Sequence, residues 1–137
     1  MSLIGYALKM AKEYYDPVTY DHALRVATYL ADNEMIPDSI EDNCIALGIM
    51  HDLLGDTCYG MRGEEVADPH FRKCLEIIAE PIDADDAEYI KNIKENARMY
   101  PEAYWVKIAD IKDHLAQTNT LTNKRKNKYL KVLAGLL

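Results

Sequence analysis

The sequence predicts an all-α protein, and three observations carry that expectation. Apolar residues recur every three to four positions through most of the chain, and no segment alternates with period two for long enough to make a strand. Proline and acidic residues stand where helices would begin. Gly 6 and Pro 5 are few for 137 residues, while hydrophobic residues reach 49%, which excludes disordered and collagen-like classes and allows a buried core.

The first helix is expected over 3–15, where Ile4, Ala7, Leu8 and Ala11 share a face, until Asp16-Pro17 breaks it. A second starts from Thr19, carries His22, Val26, Tyr29 and Leu30, and fades at Asn33 before Pro37. Asp38-Ser39-Ile40-Glu41 reads as a capping box, in which Asp38 and Glu41 answer each other's free backbone amides. The helix that follows is apolar all round from Cys44 to Met50, as suits a central helix covered on several sides. Gly55 and Gly60 mark its exit, with a loop over 57–63, and a short helical region over 64–79 is split by Pro69. Asp83 to Asp86 starts a helix reaching Arg98, and Pro101 suits the first turn of the next, which runs to Gln117. After Thr118-Asn119-Thr120 a last helix over 122–136 turns Leu130, Leu133 and Leu137 inward. The result is one domain, 1–137, of about six to seven helices, with a basic C-terminal helix within 118–137.

Lys+Arg 16 against Asp+Glu 23 gives a net charge of -7. Such an acidic chain is poorly suited to duplex nucleic acid, whose binding rests on neutralised phosphates. A local basic cluster would still serve a small phosphorylated substrate. Lys124, Arg125, Lys126, Lys128 and Lys131 are the charged residues of the last twenty positions, which hold no acid. The cysteines, Cys44, Cys58 and Cys74, are odd in number and form no C-x-x-C pair, too few for a disulfide scaffold. Lys9 and Lys12 interrupt what would be the apolar part of a signal peptide, and the run from Cys44 to Met50 is far shorter than a span of about 20 residues. A reduced, cytoplasmic protein with no membrane partner is expected.

Function is legible in polar residues set among apolar ones. His51-Asp52 follows the apolar stretch and precedes Leu53-Leu54, so it falls at the buried end of a central helix. A carboxylate there is costly unless paired or bound to a metal. His22 lies on an otherwise apolar helix face, and Asp110 lies between Ile108-Ala109 and Ile111. Each alone also fits an ordinary structural role, a hydrogen-bonded histidine or a capping or salt-bridged aspartate. Together they offer two imidazoles and two carboxylates from three helices, a donor set for Mn²⁺, Fe²⁺, Co²⁺ or Zn²⁺ rather than Ca²⁺.

The order histidine, His-Asp, Asp resembles the signature of the HD phosphohydrolase superfamily. Within it the chain resembles the small stand-alone relatives of the RelA/SpoT (p)ppGpp hydrolase domain. Tyr20 to Ala27 resembles the family's first motif, with His22 one residue nearer the tyrosine; Leu47 to Thr57 supplies His51, Asp52, Asp56 and Thr57, and Val106 to Asp110 reads Val-Lys-x-Ala-Asp. The resemblance implies that His22, His51, Asp52 and Asp110 hold one divalent ion, Mn²⁺ in that branch, which activates water for attack on phosphorus. It implies that Asp56 orients this water. Two departures stand out: Gly55 replaces the glutamate of the family's Glu-Asp pair, and His114 replaces an asparagine. They weaken (p)ppGpp as the substrate more than phosphohydrolase chemistry. Lys91, Lys94 and Lys107, with Arg98, are candidates for the phosphate-binding mouth, and His114 for a substrate contact or an outer shell of the metal. The expected function is therefore hydrolysis of a small nucleotide or related phosphorylated metabolite. The alternatives are a catalytically weak metal- or nucleotide-binding module, or a helical interaction domain using its basic last helix; a homo-oligomer stays open.

Overall fold

A computed structural model describes residues 2–53, 68–79 and 85–137. Among them are seven α-helices and no strand. The first, α1 (Leu3–Tyr14), is capped by the Ser2 hydroxyl, which accepts from the Gly5 N–H at 2.9 Å. The next, α2 (Pro17–Ala31), begins two residues earlier than Thr19 because the Asp16 carboxylate accepts the Thr19 N–H at 2.7 Å and Pro17 fits the first turn. In α3 (Asp38–Met50) the expected capping box does not form. Pro37 takes the cap position and no side chain caps the helix, so Asp38 and Glu41 both lie in the first turn, where acids favour the amide end of the helix dipole.

Pro69 opens α4 (Pro69–Ile78), with Asp68 as its cap, and the part of the expected 64–79 region before Asp68 lies outside the described residues. Then come α5 (Asp86–Asn96), capped by Asp85, α6 (Pro101–Ala116), and α7 (Asn123–Leu136), capped by Thr122. The expected exit of the central helix at Gly55 and Gly60, the loop over 57–63, and Asp83 lie outside the described residues.

Two apolar clusters share α6. One packs Ala7, Met10, Val26, Leu30, Leu47 and Phe71 with Val106; the other packs Tyr89 and Ile93 with Ile108, Ile111, Val132 and Leu136. The inward face of α7 is thus set by Val132 and Leu136, with Leu133 partly buried, while Leu130 and Leu137 are exposed. At Gly48, α2 and α3 come so close that a Cβ would stand 2.5 Å from Leu30 Cδ1. That approach brings the C-terminal end of α3 against the helix bearing His22. No helix of the described residues is long and apolar enough to cross a membrane.

Candidate metal centre

Three helices bring Asp52 and Asp110 each up to His22 and His51. His22 comes from the first half of α2, His51-Asp52 directly follows α3, and Asp110 sits in the middle of α6. His22 Nε2 is 2.8 Å from Asp110 Oδ1, and His51 Nε2 is 3.1 Å from the same oxygen. The two Nε2 atoms are 3.3 Å apart. Asp52 Oδ2 stands 3.3 Å from His51 Nε2 and 3.9 Å from His22 Nε2. Donors held about 2.1 Å from a first-row divalent ion fall about 3.0–3.4 Å from their neighbours; three of these five spacings lie in that range, and those of 2.8 and 3.9 Å fall on either side of it.

The far side of each imidazole strengthens the match. His51 Nδ1 donates to the Gly48 carbonyl at 2.5 Å. His22 Nδ1 donates to Asp113 Oδ2 at 2.6 Å, and Asp113 Oδ1 accepts from Arg25 Nε at 2.8 Å. A proton held on Nδ1 leaves Nε2 with its lone pair, the arrangement that orients histidine toward a metal. Asp113 and Arg25 escape a residue-by-residue reading of the sequence. Their signal is a matched spacing: His22 and Arg25 are three apart on α2, as Asp110 and Asp113 are on α6, so two helix faces meet pair to pair.

His114, one turn beyond Asp110, joins the cluster as well. Its Nε2 is 3.2 Å from Asp110 Oδ1, its ring stacks on Tyr129 at 4.8 Å, and it forms a potential ligand trio with His22 and Asp110. Its side chain is 39% exposed and that of Asp52 28%, whereas His22, His51 and Asp110 are buried. The cluster therefore opens to solvent at Asp52 and His114.

The proposed phosphate-binding lysines fare differently. Lys107 is buried, and its Nζ donates to Asp110 Oδ2 at 2.8 Å while lying 5.3 Å from the centre of the Tyr89 ring. It serves as the charge partner of Asp110, not as an open phosphate contact. Lys91 and Lys94 are exposed on α5; Lys91 pairs with Glu95 at 3.9 Å, and among the described residues no hydrogen bond or ion pair joins either lysine to the cluster. Asp56 lies outside the described residues.

Mutual charge holds the cluster in a defined ionic state. Burial disfavours the His51 imidazolium, but the Asp52 and Asp110 carboxylates outweigh it and push the group up to about 9. His22 is raised too, its burial overcome by the hydrogen bond to Asp110 and that carboxylate's charge. Burial would raise Asp110, yet Lys107 and His51 hold it well below the usual carboxylate range. Asp113 is lowered against its burial by Arg25 and His22. The donor set thus attracts one cation, either protons on the imidazoles or a metal ion that displaces them.

No protein-family model matches the chain, and no curated protein is similar enough to count as a relative. The fold and cluster are what the molecule itself provides: an all-α bundle with histidines and carboxylates gathered where they could hold a metal ion.

Proposed function

We propose that the protein is a metal-dependent phosphohydrolase of the HD type, acting on a small nucleotide or related phosphorylated metabolite. The supporting observation is the convergence of two imidazole Nε2 atoms and two carboxylate oxygens, with both Nδ1 atoms tied to acceptors. His22, His51, Asp52 and Asp110 would hold one divalent ion, Mn²⁺ first, with Fe²⁺, Co²⁺ and Zn²⁺ compatible with the same donors. When bound, such an ion supplies a water of lowered pKa and polarises a phosphoryl oxygen.

The chain's own residues do the rest. Asp113 and Gly48 fix the imidazole orientations, and Lys107 keeps Asp110 ionised. His114, at the open edge and 3.2 Å from Asp110 Oδ1, is placed to hydrogen-bond a substrate entering there. Asp56 would orient the attacking water, and Lys91 and Lys94 would attract the substrate's phosphates. A cytoplasmic setting accompanies this reading.

The test is turnover of Mn²⁺-loaded protein on a panel of nucleotides and phosphoesters. Metal-dependent cleavage that Asp52→Ala abolishes is expected, with Asp56→Asn lowering the rate by about 10² to 10⁴ while metal stays bound. Metal bound at full occupancy without turnover on any member would favour a binding module that has lost its chemistry, as the glycine at position 55 would suggest.

A further inference from the structure

A second group of metal-ligating side chains lies elsewhere in the molecule. His70 is in the first turn of α4, Cys74 one turn later on the same helix, and Glu102 in the first turn of α6. Their donor atoms lie within 4.8 Å of one another. His70 Nε2 donates to Glu102 Oε2 at 2.8 Å, and the His70 ring lies 5.0 Å from that of Tyr100. Glu102 is only 3% exposed, and its other oxygen, Oε1, is buried with no hydrogen-bond partner among the described residues.

That orphaned oxygen is the informative feature. A buried carboxylate with one oxygen unsatisfied is costly, and native structures seldom keep one without a reason. Glutamate could be replaced here by an apolar residue at no loss if packing were its only role. We propose that His70, Cys74 and Glu102 form a second metal site, suited to a borderline-soft divalent ion such as Zn²⁺. Imidazole, thiolate and carboxylate are all ligands this ion takes, and three protein donors leave a fourth position for water. The ion's charge would be balanced by the thiolate and carboxylate together. His70, with a side chain 40% exposed, gives the site a route to solvent.

In the metal-free protein, burial and then the Glu102 charge push the Cys74 thiol up to about 12. Glu102 and Asp110 are eight residues apart on α6, about 12 Å along its axis at 1.5 Å per residue. Paired catalytic metals stand about 3.5–4 Å apart, so this site is separate from the His–Asp cluster and does not rest on the phosphohydrolase reading.

Cobalt separates the two sites, because only a thiolate ligand gives Co²⁺ a strong near-ultraviolet charge-transfer band. Titrating the full-length, metal-stripped protein with Co²⁺ should produce that band, saturating at one ion per chain for this site. Cys74→Ser should abolish it, whereas Asp52→Ala, which alters the other cluster, should leave it intact. His70→Ala changes a half-exposed side chain and is expected to fold. Outer partners alone are worth about 10- to 100-fold in metal affinity, so loss of this ligand should weaken the band's binding curve at least about tenfold. No band at excess Co²⁺ in the folded parent would overturn the proposal. So would a band undiminished in Cys74→Ser, or an unshifted binding curve in His70→Ala.

Discussion

The two ends of α6 handle buried carboxylates in opposite ways. From the middle toward the C-terminus every oxygen is answered: Asp110 Oδ1 faces His22, His51 and His114, Asp110 Oδ2 holds Lys107, and Asp113 divides its oxygens between His22 and Arg25. At the N-terminal end Glu102 Oε2 is answered by His70, and its Oε1 has no partner among the described residues. The first arrangement fixes donor atoms in place before any ion arrives. The second leaves a donor waiting. Preorganisation of this sort separates a site built for chemistry from one whose ligands would be drawn together by the ion they bind.

The sharpest way to break this contrast is Asp110→Asn. The change keeps the shape but strands the Lys107 ammonium in the interior, and removing one partner of a buried pair costs about 3–5 kcal/mol. Urea unfolding of the metal-free variant should show that loss, and metal binding at the cluster should fall with it. Asp113→Asn comes next. The His22 ring loses its anionic anchor while the four donors remain, so Mn²⁺ affinity should drop about 10- to 100-fold in a calorimetric titration. An unchanged affinity would mean that Asp113 serves only folding.

Acidity probes the same end of the helix. The imidazolium of His51 is stabilised in the fold, so its contribution is fully present below about 6.5 and is lost as pH rises through about 9. Melting temperature of the chelator-treated protein should decline across that window. With Mn²⁺ bound the histidine is a neutral ligand and the decline should flatten. The smallest effect belongs to the other end: Glu102→Gln, in the metal-free protein, should change stability by less than about 1 kcal/mol, because one carboxylate oxygen already lacks a partner. A loss as large as that of Asp110→Asn would erase the distinction between the two ends.

Much of this architecture is written locally in the chain. Asp16, Asp68, Asp85 and Thr122 each cap a helix, with Pro17, Pro69 and Pro101 fitting first turns. Residues that depend on their neighbours in space were harder to place. Asp38 and Glu41 have capping-box spacing, but Pro37 occupies the cap. The α7 leucines recur with helical period, yet Val132 and Leu136 fix which side faces α6. His22, His51, Asp52 and Asp110 stand out because each interrupts apolar sequence. In sequence Lys107 reads as a candidate for the phosphate-binding mouth, and only the packing of Tyr89 and Asp110 around it shows its role. Glu102 carries no such signal in sequence, because the helix dipole favours an acid in a first turn on the surface as readily as in the interior.

One measurement bears most directly on the cluster around Asp110 of α6: anomalous diffraction from crystals soaked in Mn²⁺. A single peak about 2.1–2.3 Å from His22 Nε2, His51 Nε2 and an oxygen each of Asp52 and Asp110 is expected, at distances usual for such donors. No peak there at saturating Mn²⁺, with the imidazoles still bonded to Asp110 as in the metal-free protein, would contradict it and leave the cluster a structural ion-pair network.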